Sequence, residues 1–276
     1  MIEYIKYNYI YLLINLLVLC FILLVLYWLK SKRNRYILRF YINFILYKVG
    51  LKKRMSGVFL HGVHVSESYE PLVDVAKHPK IIINDETVEH PVLLREKVAM
   101  KIYKVADSLP EDVCLKIYSA YRSRSELYNV WKEELDRVTK ENPDIGRAEI
   151  LQLVNSKATS PNKSMGGHDT GAAVDVALCD KDGNDFDFGT KYHDKHRSRE
   201  LTKEQKENRK TLIKLMSSQK FVKNPGQWWH FSYGDKNWSA YKGKRSGAFY
   251  DSAEKEFENM GFVRVVKTVI KSVSVK

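Results

Sequence analysis

The chain has 276 residues, 44% of them hydrophobic and 29% charged, enough for one sizeable globular domain with an accessory segment. Its net charge of +13 is concentrated in one place: nine Lys or Arg and no Asp or Glu fall between Lys30 and Met55, which leaves 37 basic against 33 acidic residues elsewhere. That near-balance supplies no basic face for nucleic acid, so nucleic acid is excluded as a partner and the excess is read as a membrane flank. Three cysteines without a C-x-x-C pair exclude a disulfide framework, and Cys20, Cys114 and Cys179 read as small apolar residues in apolar runs.

Tyr9 to Leu29, YIYLLINLLVLCFILLVLYWL, is broken by one strongly polar residue, Asn15. About 20 apolar residues cross a bilayer core, so this stretch is a membrane-span candidate. Lys-Ser-Lys-Arg follows it where a signal peptide would carry small residues for cleavage. Tyr27 and Trp28 beside Lys30 have the character of an interfacial anchor, and the basic flank places the rest of the chain in the cytoplasm, as a single-pass protein. Residues 36–49, YILRFYINFILYKV, either lie along the membrane surface or pack on the domain.

The expected organisation is a transmembrane segment over 1–29, a basic juxtamembrane segment over 30–55, a globular domain over 56–252 and a basic C-terminal tail over 253–276. Within the domain, Leu93, Leu94, Val98, Ile102 and Val105 predict a helix over Pro91 to Leu109. Leu115 to Tyr121 reads as a strand, Ser123 to Lys140 as a charged amphipathic helix, and Gly171 to Leu178 as an alternating strand. Thr202 to Lys220 reads as a helix opened by a capping box of Thr202 and Gln205, and Trp228 to Tyr233 as a further strand. Strands and helices mix without βαβ alternation, so an α+β fold is expected. The end, FVRVVKTVIKSVSVK, is β-prone and basic.

The chemistry centres on GGHDTGAAVDVAL, residues 166–178. Alternation puts Ala173, Asp175 and Ala177 on one face, so Asp175 has free space in front of it. His168 lies seven residues earlier across a Gly-containing turn, and His230 stands in PGQWWHF, residues 225–231. Two imidazoles and a carboxylate make a three-ligand metal site with a position left for water; the alternative is hydrogen-bonded structure. The pairs His61/His64 and His193/His196 lack a third ligand and read as exposed loop residues.

H-x6-D followed by W-W-H, with SAYRS at 119–123, FDF at 186–188 and EQKENRK at 204–210, resembles the D-alanyl-D-alanine dipeptidases of the VanX type over roughly residues 57–240. The resemblance implies a Hedgehog/DD-peptidase-like α+β domain with a small, mostly antiparallel sheet flanked by helices. It implies one Zn2+ per chain held by His168, Asp175 and His230, and hydrolysis of D-Ala-D-Ala or a peptidoglycan-derived peptide by zinc-bound water. It also implies that Arg122 stabilises the oxyanion and that Asp187 holds the substrate's amine; by themselves these two residues read as a surface ion-pair residue and a turn residue.

Two positions depart from the family pattern. Gly166 stands where the family carries Ser. Gln227 stands where it carries the Glu that acts as general base, and an amide cannot take that proton. The alternative function is therefore a zinc-containing peptidase-like binding protein with weak or no turnover. Strict alternation also sets Gln227 on the face opposite His230 unless a kink precedes Trp228.

Overall fold

The computed structural model describes residues 2–53, 62–87, 91–157, 167–192 and 200–254. The chain divides into two compact units, Met1–Met55 and Ser56–Lys276. Gly166, His61, His193 and His196, and all but the first two residues of the expected C-terminal tail, lie outside the described residues.

The first unit is two helices in sequence. Helix α1 (Ile2–Lys30) is long and apolar enough to cross a membrane over Leu13–Lys30. Ser31, in extended conformation (φ −67°, ψ 126°), ends it, and α2 (Lys32–Lys48) begins at the next residue. The last carbonyls of a helix lack partners within it. Here Asn34 Nδ2 donates to the Trp28 carbonyl at 2.9 Å, and Arg35 Nη1 donates to those of Leu29 and Lys30 at 2.7 and 2.8 Å. The first turn of α2 thus caps the end of α1.

The second unit is α+β. In chain order it runs β1 (Leu72–Asp74), β2 (Ile81–Ile83), β3 (Leu93–Arg95), α3 (Glu96–Asp107), β4 (Val113–Ser119), α4 (Arg124–Glu141) and α5 (Arg147–Lys157). After the 3₁₀ turn His168–Thr170 come β5 (Ala173–Asp180), α6 (Lys203–Ser218), β6 (Val222–Lys223), β7 (His230–Ser232) and α7 (Lys236–Tyr241). Five strands form one sheet in the order β2-β4-β5-β7-β6, antiparallel except for the β2–β4 pair, and β1 and β3 form a separate antiparallel ribbon. Val174, Val176 and Leu178 of β5, with Leu115 and Ile117 of β4, join Val98, Ile102 and Val105 of α3 and Leu212 and Met216 of α6 in one core. Helices α4 and α5 enclose their own small cluster of Val138, Ile150 and Val154.

Two predicted elements need correction. The helix expected over Pro91 to Leu109 begins only at Glu96, because residues 93–95 are drawn into pairing with β1. The strand expected from Trp228 begins at His230, after bends at Trp228 and Trp229. The capping box of Thr202 and Gln205 is present, and Ser123 forms a second one with Glu126. Cys114 and Cys179 are buried and paired in register across β4 and β5; Cys20 is exposed on α1.

One irregularity bears on the site. Ile117 pairs with Val176, but it is Ser119 that pairs with Asp175, so Tyr118 is an extra residue in β4. This bulge rephases the strand and sets the small Ser119 side chain opposite Asp175.

Candidate metal centre

Asp175 of β5 and His230 of β7 are directly opposite in the antiparallel register, so the ladder itself brings them together. His168 arrives from the 3₁₀ turn before β5. Gly167 and Gly171 bracket that turn in left-handed conformation (φ 75° and 68°). A Cβ on Gly167 would sit 2.3 Å from Asp235 Oδ2 and 2.9 Å from Ala173 Cβ, and at both glycines the left-handed φ strains any L side chain. Buried Arg95 holds the turn from outside, its backbone N–H donating to Gly171 O at 2.9 Å and its Nε to Thr170 O at 2.8 Å.

The three side chains are buried and converge. His230 Nδ1 lies 2.8 Å from Asp175 Oδ1, His168 Nε2 lies 3.4 Å from the same oxygen, and the two imidazole nitrogens are 3.2 Å apart. One donor atom from each residue falls within 4.8 Å of the others, an arrangement that can hold a metal ion. The chemistry of the donors fits one. His168 Nδ1 is 2.7 Å from the Ala120 carbonyl, which accepts the ring N–H and leaves the lone pair of Nε2 aimed at the cluster. Burial holds the pKa of His168 below its ordinary value, which keeps the ring neutral as a metal ligand must be. Burial also acts to raise the Asp175 pKa, but its interactions with the two histidines, hydrogen bonds among them, outweigh it and hold the carboxyl well below the usual range.

The family model for D-Ala-D-Ala dipeptidases, Peptidase_M15, matches residues 83–250, which include all three of these residues. The chain belongs to this peptidase family. A curated D-alanyl-D-alanine dipeptidase from Synechocystis sp. is 33% identical over 88 residues, 26% of this chain and 36% of that relative, so the match spans about a third of the relative's length. Two solved structures are also similar. One is a vancomycin-resistance D,D-pentapeptidase VanY mutant in complex with Zn(II), with 14% identity, a TM-score of 0.40 and coverage of 69% of this chain and 96% of that one. The other is VanYB in complex with D-alanine-D-alanine, with 13% identity, a TM-score of 0.38 and coverage of 67% and 94%.

Around the cluster of this M15 family member, Arg122, the cation that the sequence singled out, makes two side-chain contacts. Its Nε donates to Ser119 Oγ at 2.8 Å, and its Nη2 donates to the Tyr192 hydroxyl at 3.3 Å. Tyr192 in turn donates to Asp175 Oδ2 at 2.9 Å. Sequence reasoning missed this tyrosine. Burial and the neighbouring Asp175 charge push its pKa up, so the phenol stays protonated and serves as a donor. Its ring stacks on Tyr118, the extra residue of the bulge, at 4.3 Å between centroids, and meets Trp229 edge-on at 5.5 Å. Asp185 accepts a hydrogen bond from Tyr118 and pairs with Lys116 at 3.1 Å, which anchors the platform.

Trp228 and Trp229 are both buried and meet at right angles, with 5.3 Å between centroids. Trp228 stacks on Phe188 and donates to Thr190 Oγ1 at 3.0 Å. The aromatic pair thus ties the 188–192 loop, and Tyr192 with it, to the strand that carries His230. Phe188, from the FDF motif, is a packing partner.

Asp187 and Gln227 form their hydrogen bonds with residues other than His168, Asp175, His230 and Arg122. Asp187 is exposed; its oxygens accept from Gly189 N at 2.7 Å and Gln205 Nε2 at 2.9 Å, hydrogen bonds that lower its pKa. Gln227 lies in the β6–β7 loop, where its Oε1 accepts from Asn224 Nδ2 at 3.2 Å. The loop turns at Pro225 and Gly226 and the strand starts at His230, so strict alternation from Gln227 to His230 does not apply. His64 is exposed.

Proposed function

We propose that this M15 family member is a zinc peptidase that hydrolyses D-Ala-D-Ala or a related cell-wall peptide, with His168, Asp175 and His230 as ligands of one Zn2+ per chain. The convergence of the three donor atoms carries the reading, and the family match supports it. When bound, the ion supplies a Lewis acid and an acidified water at neutral pH. Arg122 would bring its cationic fork to the carbonyl oxygen of the scissile amide, where negative charge develops during attack. Ser119 and Tyr192 hold that fork beside the ligands. Asp187, ionised on the 186–192 loop, would take the substrate's free ammonium.

A second reading follows from Gln227. It retains an acceptor oxygen, but it cannot receive the proton that a general base removes from water. On this reading the protein recognises the same peptides and turns them over slowly or not at all.

The two readings separate in one paired assay of wild type and Gln227→Glu with D-Ala-D-Ala, following released D-Ala and measuring zinc content in each preparation. General-base catalysis contributes about 10²–10⁴-fold, so Gln227→Glu is expected to raise turnover within that range at unchanged zinc content. Equal rates would remove Gln227 as the limiting group. Absence of zinc in wild type, or release no faster than in His230→Ala, would overturn the peptidase reading.

We further propose that α1 spans the membrane and that the catalytic unit is cytoplasmic. The length and apolar character of α1 support the span, and the basic flank after it supports the orientation.

A further inference from the structure

Helix α2 carries an exposed apolar stripe. Leu38, Tyr41, Ile42 and Ile45 are exposed, and Val49 continues the line at the C-cap. Spacings of three and four residues place them on one side of the helix. At 100° per residue, Lys32 and Arg39 border one edge of this stripe and Lys48 borders the other. No acidic residue occurs between Glu3 and Glu67. An apolar face flanked on both sides by cations, with no anion nearby, complements a surface that is apolar beneath and anionic above.

The joint with α1 sets where that surface is. One residue separates the helices, and Asn34 and Arg35 lock the first turn of α2 onto the terminal carbonyls of α1. If α1 crosses the bilayer and ends at Lys30, α2 starts at the headgroup level and cannot leave it without breaking these bonds. We propose that α2 is a membrane-surface helix selective for anionic lipid, with Leu38, Tyr41, Ile42 and Ile45 in the acyl boundary and Lys32, Arg39 and Lys48 on lipid phosphates. This rests on the spanning role of α1 and is independent of the metal centre.

The test uses the full chain in nanodiscs, on a Cys20→Ser background that leaves only the buried Cys114 and Cys179. A nitroxide is placed at Ile42→Cys, and separately at Leu17→Cys within α1. Collision with oxygen, which concentrates in the bilayer, is compared with collision with an aqueous nickel chelate, in discs with and without phosphatidylglycerol. The inference expects the label at position 42 to favour oxygen in anionic discs. It also expects Arg39→Gln and Lys48→Gln each to lower the ratio of immersed to aqueous label about fivefold there, and to have little effect in zwitterionic discs. A label at 42 open to the chelate, or shielded from both reagents by protein, overturns it while the label at 17 stays immersed. Chelate access at 17 overturns the spanning role of α1 and this inference together.

Discussion

Tyr192 places one hydroxyl between the anion and the cation of the candidate centre. By donating to Asp175 Oδ2 it leaves Oδ1 as the oxygen that faces the two histidines, and by accepting from Arg122 it fixes the distance of that cation from them. Removing a partner of a metal-ligating carboxylate typically costs about 10–100-fold in metal affinity or activity. Tyr192→Phe keeps the ring stack on Tyr118 and removes only the hydroxyl. It is expected to weaken zinc binding by about 10–100-fold in a chelator competition; an unchanged dissociation constant would refute the coupling. The candidate cluster was legible because His168 and Asp175 sit in a short pattern with glycines at the turn and alanines beside the carboxylate. Tyr192 was not, because an aromatic residue four positions beyond Phe188 has no local signature. Its role comes from the path of a loop held by Trp228 and Thr190.

Short elements carry the centre, and their tolerances differ from those of the core. At the His168 turn, Gly167→Ala introduces a methyl group against Asp235 and Ala173 at a backbone angle that L-residues rarely adopt. Strain of this kind costs about 1–3 kcal/mol, so the denaturation midpoint should fall measurably; an unchanged midpoint would show that the turn relaxes freely. In β6, burial first and the charge of Arg209 second lower the pKa of Lys223 from 10.5 to about 8. Below pH 8 the lysine is charged in both folded and unfolded chains, and the folded state bears the full cost of burying it. As pH rises from 8 toward 10.5, the unfolded chain binds more protons than the folded one, and stability relative to a neutral side chain rises. Lys223→Met is therefore expected to raise the melting temperature at pH 7 and to lose that advantage by pH 10, as read by calorimetry at both values. An advantage equal at the two pH values would rule out titration as its cause. The elements themselves were legible where one residue type marks an end, as with Thr202 and Gln205 of α6. They were missed where tertiary pairing decides, as with residues 93–95, which have helical spacing and join a strand ribbon.

At the scale of the whole molecule, the α+β class followed from the irregular order of strands and helices, and the sheet is mostly antiparallel as expected. The order of its strands was not legible, since β2 and β6, of three and two residues, leave almost no periodic trace. The proposed orientation in a membrane is a property of the intact chain. On the proposed topology, protease added to intact spheroplasts spares the second unit and digests it after lysis; digestion before lysis would reverse that topology. A cytoplasmic site would meet free dipeptide, whereas an outward-facing one would meet the polymerised wall.

The bulge at Tyr118 has a consequence for how this site tolerates changes in length. Losing one residue from a central strand ordinarily turns every later side chain to the wrong face. Here the ladder already carries one residue too many, and removing Tyr118 would leave Ile117 against Val176 and Ser119 against Asp175 in an unbroken register. The deletion would therefore preserve the phase of Ser119, Ala120 and Arg122 and take away the ring on which Tyr192 rests. Strand pairing and the support of Tyr192 are thus separable by a single codon.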